Sequence, residues 1–174
     1  MAAHGQTEAA VLVAMFGFPD RPGIVFTERR HDLRRHAGEI SFPGGRHDPT
    51  DPHLLATALR EAEEEIGLRG ADVEVLGALP PIGTFVTSYK VHPFVGLIAE
   101  GLQFEPSPHE VETVLAFTAE QLREGFAMRR LVRHGVPIRT PTYQVREHLI
   151  WGATARILGE LLERLPGTSS GDQS

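Results

Sequence analysis

The sequence predicts one mixed α/β domain, on three observations. Short apolar runs bounded by Pro and Gly clusters recur along the chain and read as strands. Two longer segments carry apolar residues at helical spacing. No linker or internal repeat divides the 174 residues, and a chain that long, 41% hydrophobic, buries a substantial core. The domain is expected to span residues 1–166, with a polar, disordered tail over 167–174.

Val11 to Phe16 is a buried strand ending at the turn formers Pro19-Asp-Arg-Pro-Gly23, and Ile24 to Thr27 is its neighbour. Leu54 to Ile66 is the clearest helix. Asp51 suits its N-cap, Pro52 its first position and Gly67 its C-terminal cap. Leu55, Ala58, Leu59, Ala62 and Ile66 give it one apolar stripe. Further strands are expected at Asp72 to Leu76, Val91 to Ala99 and Val111 to Phe117. Thr118-Ala-Glu-Gln121 has the form of a capping box, so a short helix starts there. His134-Gly135 reads as a turn between two short extended segments. Ile150 to Leu165 is the second long helix, with Trp151 in the core and Pro166 as its stop.

Composition excludes several classes. With 17 basic and 23 acidic residues the net charge is −6, which argues against general nucleic-acid binding. Absence of cysteine removes disulfides and thiolate chemistry. No apolar run approaches the roughly 18 residues of a membrane span, and the N-terminus lacks the basic start of a signal peptide. A cytoplasmic protein with no membrane partner is expected. The nine histidines, His4, His36 and His134 among them, show no paired zinc spacing. Thr87 and the serines lack the elbow of a serine hydrolase.

Chemistry concentrates in Gly44-Gly45-Arg46-His47-Asp48-Pro49-Thr50-Asp51 and the helix that follows, with Arg60-Glu61-Ala62-Glu63-Glu64-Glu65-Ile66-Gly67-Leu68. Residues three and four apart share a helix face, so Glu61, Glu64 and Glu65 are expected to project together. Their repulsion is unfavourable unless a cation binds, and Mg2+ or Mn2+ takes such oxygen ligands. The bland alternative is a solvated acidic run. Gly44 and Gly45 let the backbone approach a ligand closely.

This arrangement resembles the signature of the Nudix hydrolases, G-x5-E-x7-R-E-U-x-E-E-x-G-U with U aliphatic. Arg60 to Leu68 matches it throughout, whereas Asp51 replaces the first Glu and eight residues, not seven, separate it from Arg60. Thr27-Glu-Arg29, Arg34, Gly38 and Phe42-Pro-Gly-Gly45 look like the coenzyme A pyrophosphatase branch, which shares the spacing of Asp48 and Asp51. That branch has Ser or Ala where this chain has Arg30. Glu110-Val111 and Ile150-Trp-Gly-x-Thr-Ala155 are similar to later segments of it.

The resemblance implies an α/β/α sandwich with a mixed sheet between helices. It implies Mg2+- or Mn2+-dependent cleavage of the diphosphate in coenzyme A. Glu61, Glu64 and Glu65 would be the metal ligands, with the Gly45 carbonyl as an extra one. Arg60 would orient a glutamate, and either Glu61 or Glu110 would be the base. Arg29 and Arg34 can hold phosphates, or Arg29, Arg30, Arg34 and Arg35 form an ordinary charged loop. Glu110 is alternatively a solvated strand-end residue. Other readings are hydrolysis of ADP-ribose or a dinucleotide, and a non-catalytic nucleotide sensor. Oligomeric state is left open, a homodimer being one option.

Overall fold

The computed structural model describes residues 7–34, 38–84, 88–133 and 135–167. Arg35, His36, Thr87, His4, His134 and the expected tail beyond Gly167 lie outside the described residues. In chain order the elements begin with β1 (Thr7–Phe16), β2 (Gly23–Arg29), β3 (Ile40–Ser41), β4 (Gly44–Arg46) and helix α1 (Leu54–Ile66). A 3-10 turn at Gly70–Asp72 leads to β5 (Glu74–Ala78), β6 (Ile82–Gly83), β7 (Tyr89–Leu97) and β8 (Val111–Thr118). Then come α2 (Ala119–Glu124), β9 (Phe126–Arg133), β10 (Val136–Val145), β11 (His148–Ile150) and α3 (Gly152–Arg164).

The main sheet is mixed. β1 runs parallel to β7, from Thr7 opposite Tyr89 to Met15 opposite Leu97. It pairs antiparallel with β2 and with β4, and β8 adds to the far side of β2. Alternation along β1 separates two cores. Ala10, Leu12 and Ala14 meet Ala58, Ala62 and Ile66 of α1. Val13 and Met15 join the cluster that holds Ile157, Leu158 and Leu161 of α3. The sheet therefore lies between helices, as expected of an α/β/α sandwich. A second, three-stranded antiparallel sheet has the order β11-β10-β9.

The capping box at Thr118 and Gln121 forms as expected. Gly67 caps α1 in the left-handed region, with φ of 70°. Four expectations are corrected. The N-cap of α1 is His53, whose Nδ1 accepts the Ala56 N–H at 3.0 Å. Asp51 is unavailable because its carboxylate already binds other donors, so Pro52 precedes the helix. Ile150 belongs to β11 opposite Tyr143, so α3 starts at Gly152, and Trp151 is a half-buried N-cap residue. The two short extended segments flanking Gly135 are strands of 8 and 10 residues.

Candidate active site

β4 and α1 build the site together. Gly44 of β4 pairs with Val11 of β1, and a Cβ there would collide with the Ala10 carbonyl. A Cβ on Gly45 would lie 2.5 Å from the Glu61 carboxyl carbon. Only glycines let this strand pass so close to both β1 and the helix. The Gly44 N–H donates to Glu65 Oε2 at 3.1 Å, tying the strand to the last turn of α1.

The three glutamates differ in exposure. Glu65 is buried beside Ala58 and Ala62, Glu61 is half-buried, and Glu64 is exposed along with Glu63. They nonetheless act on one another: the charge of Glu64 raises Glu61, and that of Glu61 raises Glu65. At about 100° per residue Glu65 stands only about 40° from Glu61, on the side of that carboxylate nearer the sheet. Burial pushes the Glu65 carboxyl up to about 8, and the charges of Glu61 and Glu110 add to the shift while the Gly44 N–H opposes it. Burial also raises Glu61, partly offset by Arg60.

Arg60 is an internal tie. Its Nε and Nη2 donate to Asp51 Oδ1 and Oδ2 at 2.9 and 3.0 Å. Its Nη1 donates to Glu61 Oε1 and Glu64 Oε1, each at 3.1 Å. Those hydrogen bonds hold the Asp51 carboxyl well below the usual carboxylate range. Asp51 also accepts from Thr57 Oγ1 at 2.8 Å and the Asp48 N–H at 3.0 Å. The Thr57 hydroxyl has one hydrogen, spent on Asp51, so His47 Nδ1–H is the donor in the 2.8 Å His47–Thr57 contact. Thr57 and His47 were missed from sequence; the available signal was Thr57 standing next to Ala58 on the buried side of an otherwise apolar stripe.

A downstream loop closes the site. The Ser107 N–H donates to the Glu65 carbonyl at 2.7 Å and the Glu105 N–H to the Ile66 carbonyl at 2.8 Å. Glu110 follows, exposed, and its charge acts on both Glu61 and Glu65. Arg29, at the end of β2, lowers the pKa of Glu65 by its charge. Its buried Nε has no hydrogen-bond partner among the described residues. Arg30 is taken up by Asp32, in a bidentate pair at 2.9 and 2.6 Å, and by the Pro108 carbonyl. Arg34 is exposed in the loop beyond and is not brought to the carboxylates.

No three His, Asp or Glu side chains among the described residues are gathered as a closed metal cage, because Arg60 stands between Glu61 and Glu64. The donor chemistry still fits a hard divalent ion. Glu61 and Glu65 are carboxylates whose charge burial disfavours, and the side-chain-free edge at Gly45 faces Glu61.

The NUDIX domain family model matches residues 6–135. "Uncharacterized Nudix hydrolase NudL" of Klebsiella pneumoniae is 42% identical over 161 residues, covering 91% of this chain and 83% of that protein. The protein of the same name in Pectobacterium atrosepticum is 39% identical over 163 residues, covering 91% and 82%. Among solved structures, the MutT protein of Methanosarcina mazei superposes with a TM-score of 0.59 at 17% identity, covering 91% of this chain and 94% of that one. The NUDIX domain of Shewanella oneidensis NrtR, in complex with ADP ribose, also gives 0.59, at 13% identity and 92% and 89% coverage. Those two likenesses speak to the fold.

Proposed function

The chain belongs to the Nudix family, and from that premise we propose that it hydrolyses the diphosphate of coenzyme A and its acyl derivatives. The products would be adenosine 3′,5′-bisphosphate and 4′-phosphopantetheine. The Thr27-to-Gly45 motif supports coenzyme A, and one further observation supports a diphosphate substrate. The Nε of Arg29 is buried without a partner among the described residues, beside the carboxylates where a diphosphate would lie. A buried guanidinium N–H left unpaired is unfavourable, and a phosphate oxygen satisfies it with a charged hydrogen bond.

Glu61, Glu64, Glu65 and the Gly45 carbonyl would hold Mg2+ or Mn2+. A bound divalent ion neutralises diphosphate oxygens and makes water more acidic. The remaining roles fall to the chain itself. Arg60, locked by Asp51, sets the position of Glu61 and Glu64. Gly44 fixes Glu65 through its N–H. Glu61, which faces Gly45, or Glu110, whose charge acts on Glu61 and Glu65, would take the proton from the attacking water. Arg29 would bind a phosphate; Arg34 would do so only with a shift of its loop.

Incubating the protein with Mg2+ and coenzyme A, with the products separated by chromatography, tests the proposal. Equal amounts of the two named products are expected. Release of adenosine 3′,5′-bisphosphate alone, or no turnover beside rapid cleavage of ADP-ribose, would refute it.

A further inference from the structure

Glu110 has no fixture of its own. Its carboxylate is exposed and makes no hydrogen bond or ion pair among the described residues, yet its charge reaches Glu61 and Glu65. Repulsion between like charges gives it no hold there. Its place is therefore set by the backbone of the turn that ends on it. In that turn the Ser107 carbonyl accepts the Glu110 N–H at 3.2 Å and the Val111 N–H at 2.9 Å.

On one side the turn is tied to the end of α1, through the Ser107 and Glu105 N–H groups. On the other side both ties come from Arg30. Its backbone N–H donates to the Glu110 carbonyl at 3.1 Å, and its Nη1 donates to the Pro108 carbonyl. Among the described residues, no other side chain donates a hydrogen bond to the backbone of residues 105–110. Asp32 aims it. The Asp32 carboxylate accepts from Nε and Nη2 at 2.9 and 2.6 Å, so the planar fork is pinned and Nη1 is left to reach Pro108. An ion pair this exposed contributes little to overall stability. Its effect is on the place of the turn.

Given the diphosphatase reading above, we propose that Arg30 is a positioning residue for that reaction. It latches the 107–110 turn to the end of β2 and so keeps the Glu110 carboxylate beside Glu61 and Glu65, where it takes the proton from the attacking water. Neighbouring arginines then divide the work: Arg29 meets a phosphate, and Arg30 holds the base in place. General-base catalysis needs the carboxylate within hydrogen-bond reach of that water, and an exposed turn tied only at α1 leaves that distance free to vary.

Amide hydrogen exchange on the full chain tests the latch without turnover, and kinetics test its use. In Arg30→Ala the Ser107 and Glu110 amides should exchange at least about tenfold faster than in the native protein, as for a turn that opens locally, with Tm nearly unchanged. With Mg2+ and coenzyme A, kcat should fall roughly tenfold to hundredfold, the loss that misplacing a reacting group by about 1 Å brings, while KM stays near native. Arg30→Lys, which keeps a donor for Pro108, should recover part of the loss. In a Glu110→Gln background Arg30→Ala should cost nothing further, because the carboxylate it positions is gone. A merely structural loss would appear in both backgrounds. Unchanged exchange at Ser107 and Glu110 overturns the latch. Native kcat in Arg30→Ala, a change in KM alone, full activity in Glu110→Gln, or equal losses in both backgrounds overturns the positioning role. No native turnover of coenzyme A refutes the substrate reading instead; amide exchange then decides the latch by itself, and the kinetic comparison is made with ADP-ribose.

Discussion

α1 and α3 flank the same sheet and have 13 residues each, yet they bury different things. α3 buries Ala155, Ile157, Leu158, Leu161 and Leu162, all apolar. α1 buries Thr57 and Glu65 beside Ala58, Ala62 and Ile66. Large aliphatics on α3 supply the packing that stabilises the sandwich. Small alanines on α1 let it approach β1 and β4 closely, and that proximity forces a carboxylate into the interior. One helix serves the core; the other gives up burial of apolar surface to hold a charged site in place.

The sharpest way to break this contrast is Glu65→Gln. Turnover should fall by orders of magnitude, since losing a charge that stabilises a transition state costs several kcal/mol. The metal-free protein should melt no lower than native, because the change removes a buried carboxylate. A divalent cation should raise the native Tm and leave the variant's nearly unmoved. Near-normal activity with an unchanged metal response would remove Glu65 from the site.

Leu158→Ala on the opposite helix should do the reverse. Loss of a fully buried leucine costs roughly 2–5 kcal/mol, read by urea unfolding. The fraction still folded should turn over at the native rate. A large loss of kcat at full folding would mean that α3 serves the chemistry directly.

Asp51→Asn sharpens the comparison within α1. Arg60 would lose its bidentate partner and hold Glu61 and Glu64 less firmly, so both activity and Tm should drop. Because Arg60 keeps the folded pKa of Asp51 low, the native stabilisation is complete above the unfolded value near 3.9. It is lost as the pH falls through the lower folded value. The variant should therefore lose less stability than native on acidification. Equal acid sensitivity would contradict the Asp51–Arg60 tie. The smallest effect belongs to His53→Ala, the true N-cap: about 1 kcal/mol or less of stability, with kcat unchanged.

Periodicity revealed the helices because their apolar positions recur regularly, and Gly67 and the Thr118 box marked their ends. It did not reveal β3, β4, β6 or β11, which are two or three residues long and too short to show alternation. The site's composition was legible in Arg60 to Gly67, since motif spacing reports which residue types recur. Their directions were not. Whether Glu65 turns inward depends on how closely β4 packs, and that is set by Gly44 and Gly45 against β1. Asp51 looked like a cap because caps and ion-pair anchors use the same residue; only the Arg60 guanidinium, nine positions away, distinguishes them.

The substrate assignment is tested most directly by kcat/KM for coenzyme A against dephospho-coenzyme A, in the native protein and in Arg29→Ala. A charged hydrogen bond to the 3′-phosphate contributes about 1.5 to 3 kcal/mol, roughly a tenfold to hundredfold preference. The native protein should show a preference of that size for coenzyme A, while Arg29→Ala, which loses a contact to the diphosphate that both compounds carry, should lower kcat/KM for both alike. Equal rates on both compounds in the native protein, or better hydrolysis of ADP-ribose than of coenzyme A, would contradict the assignment.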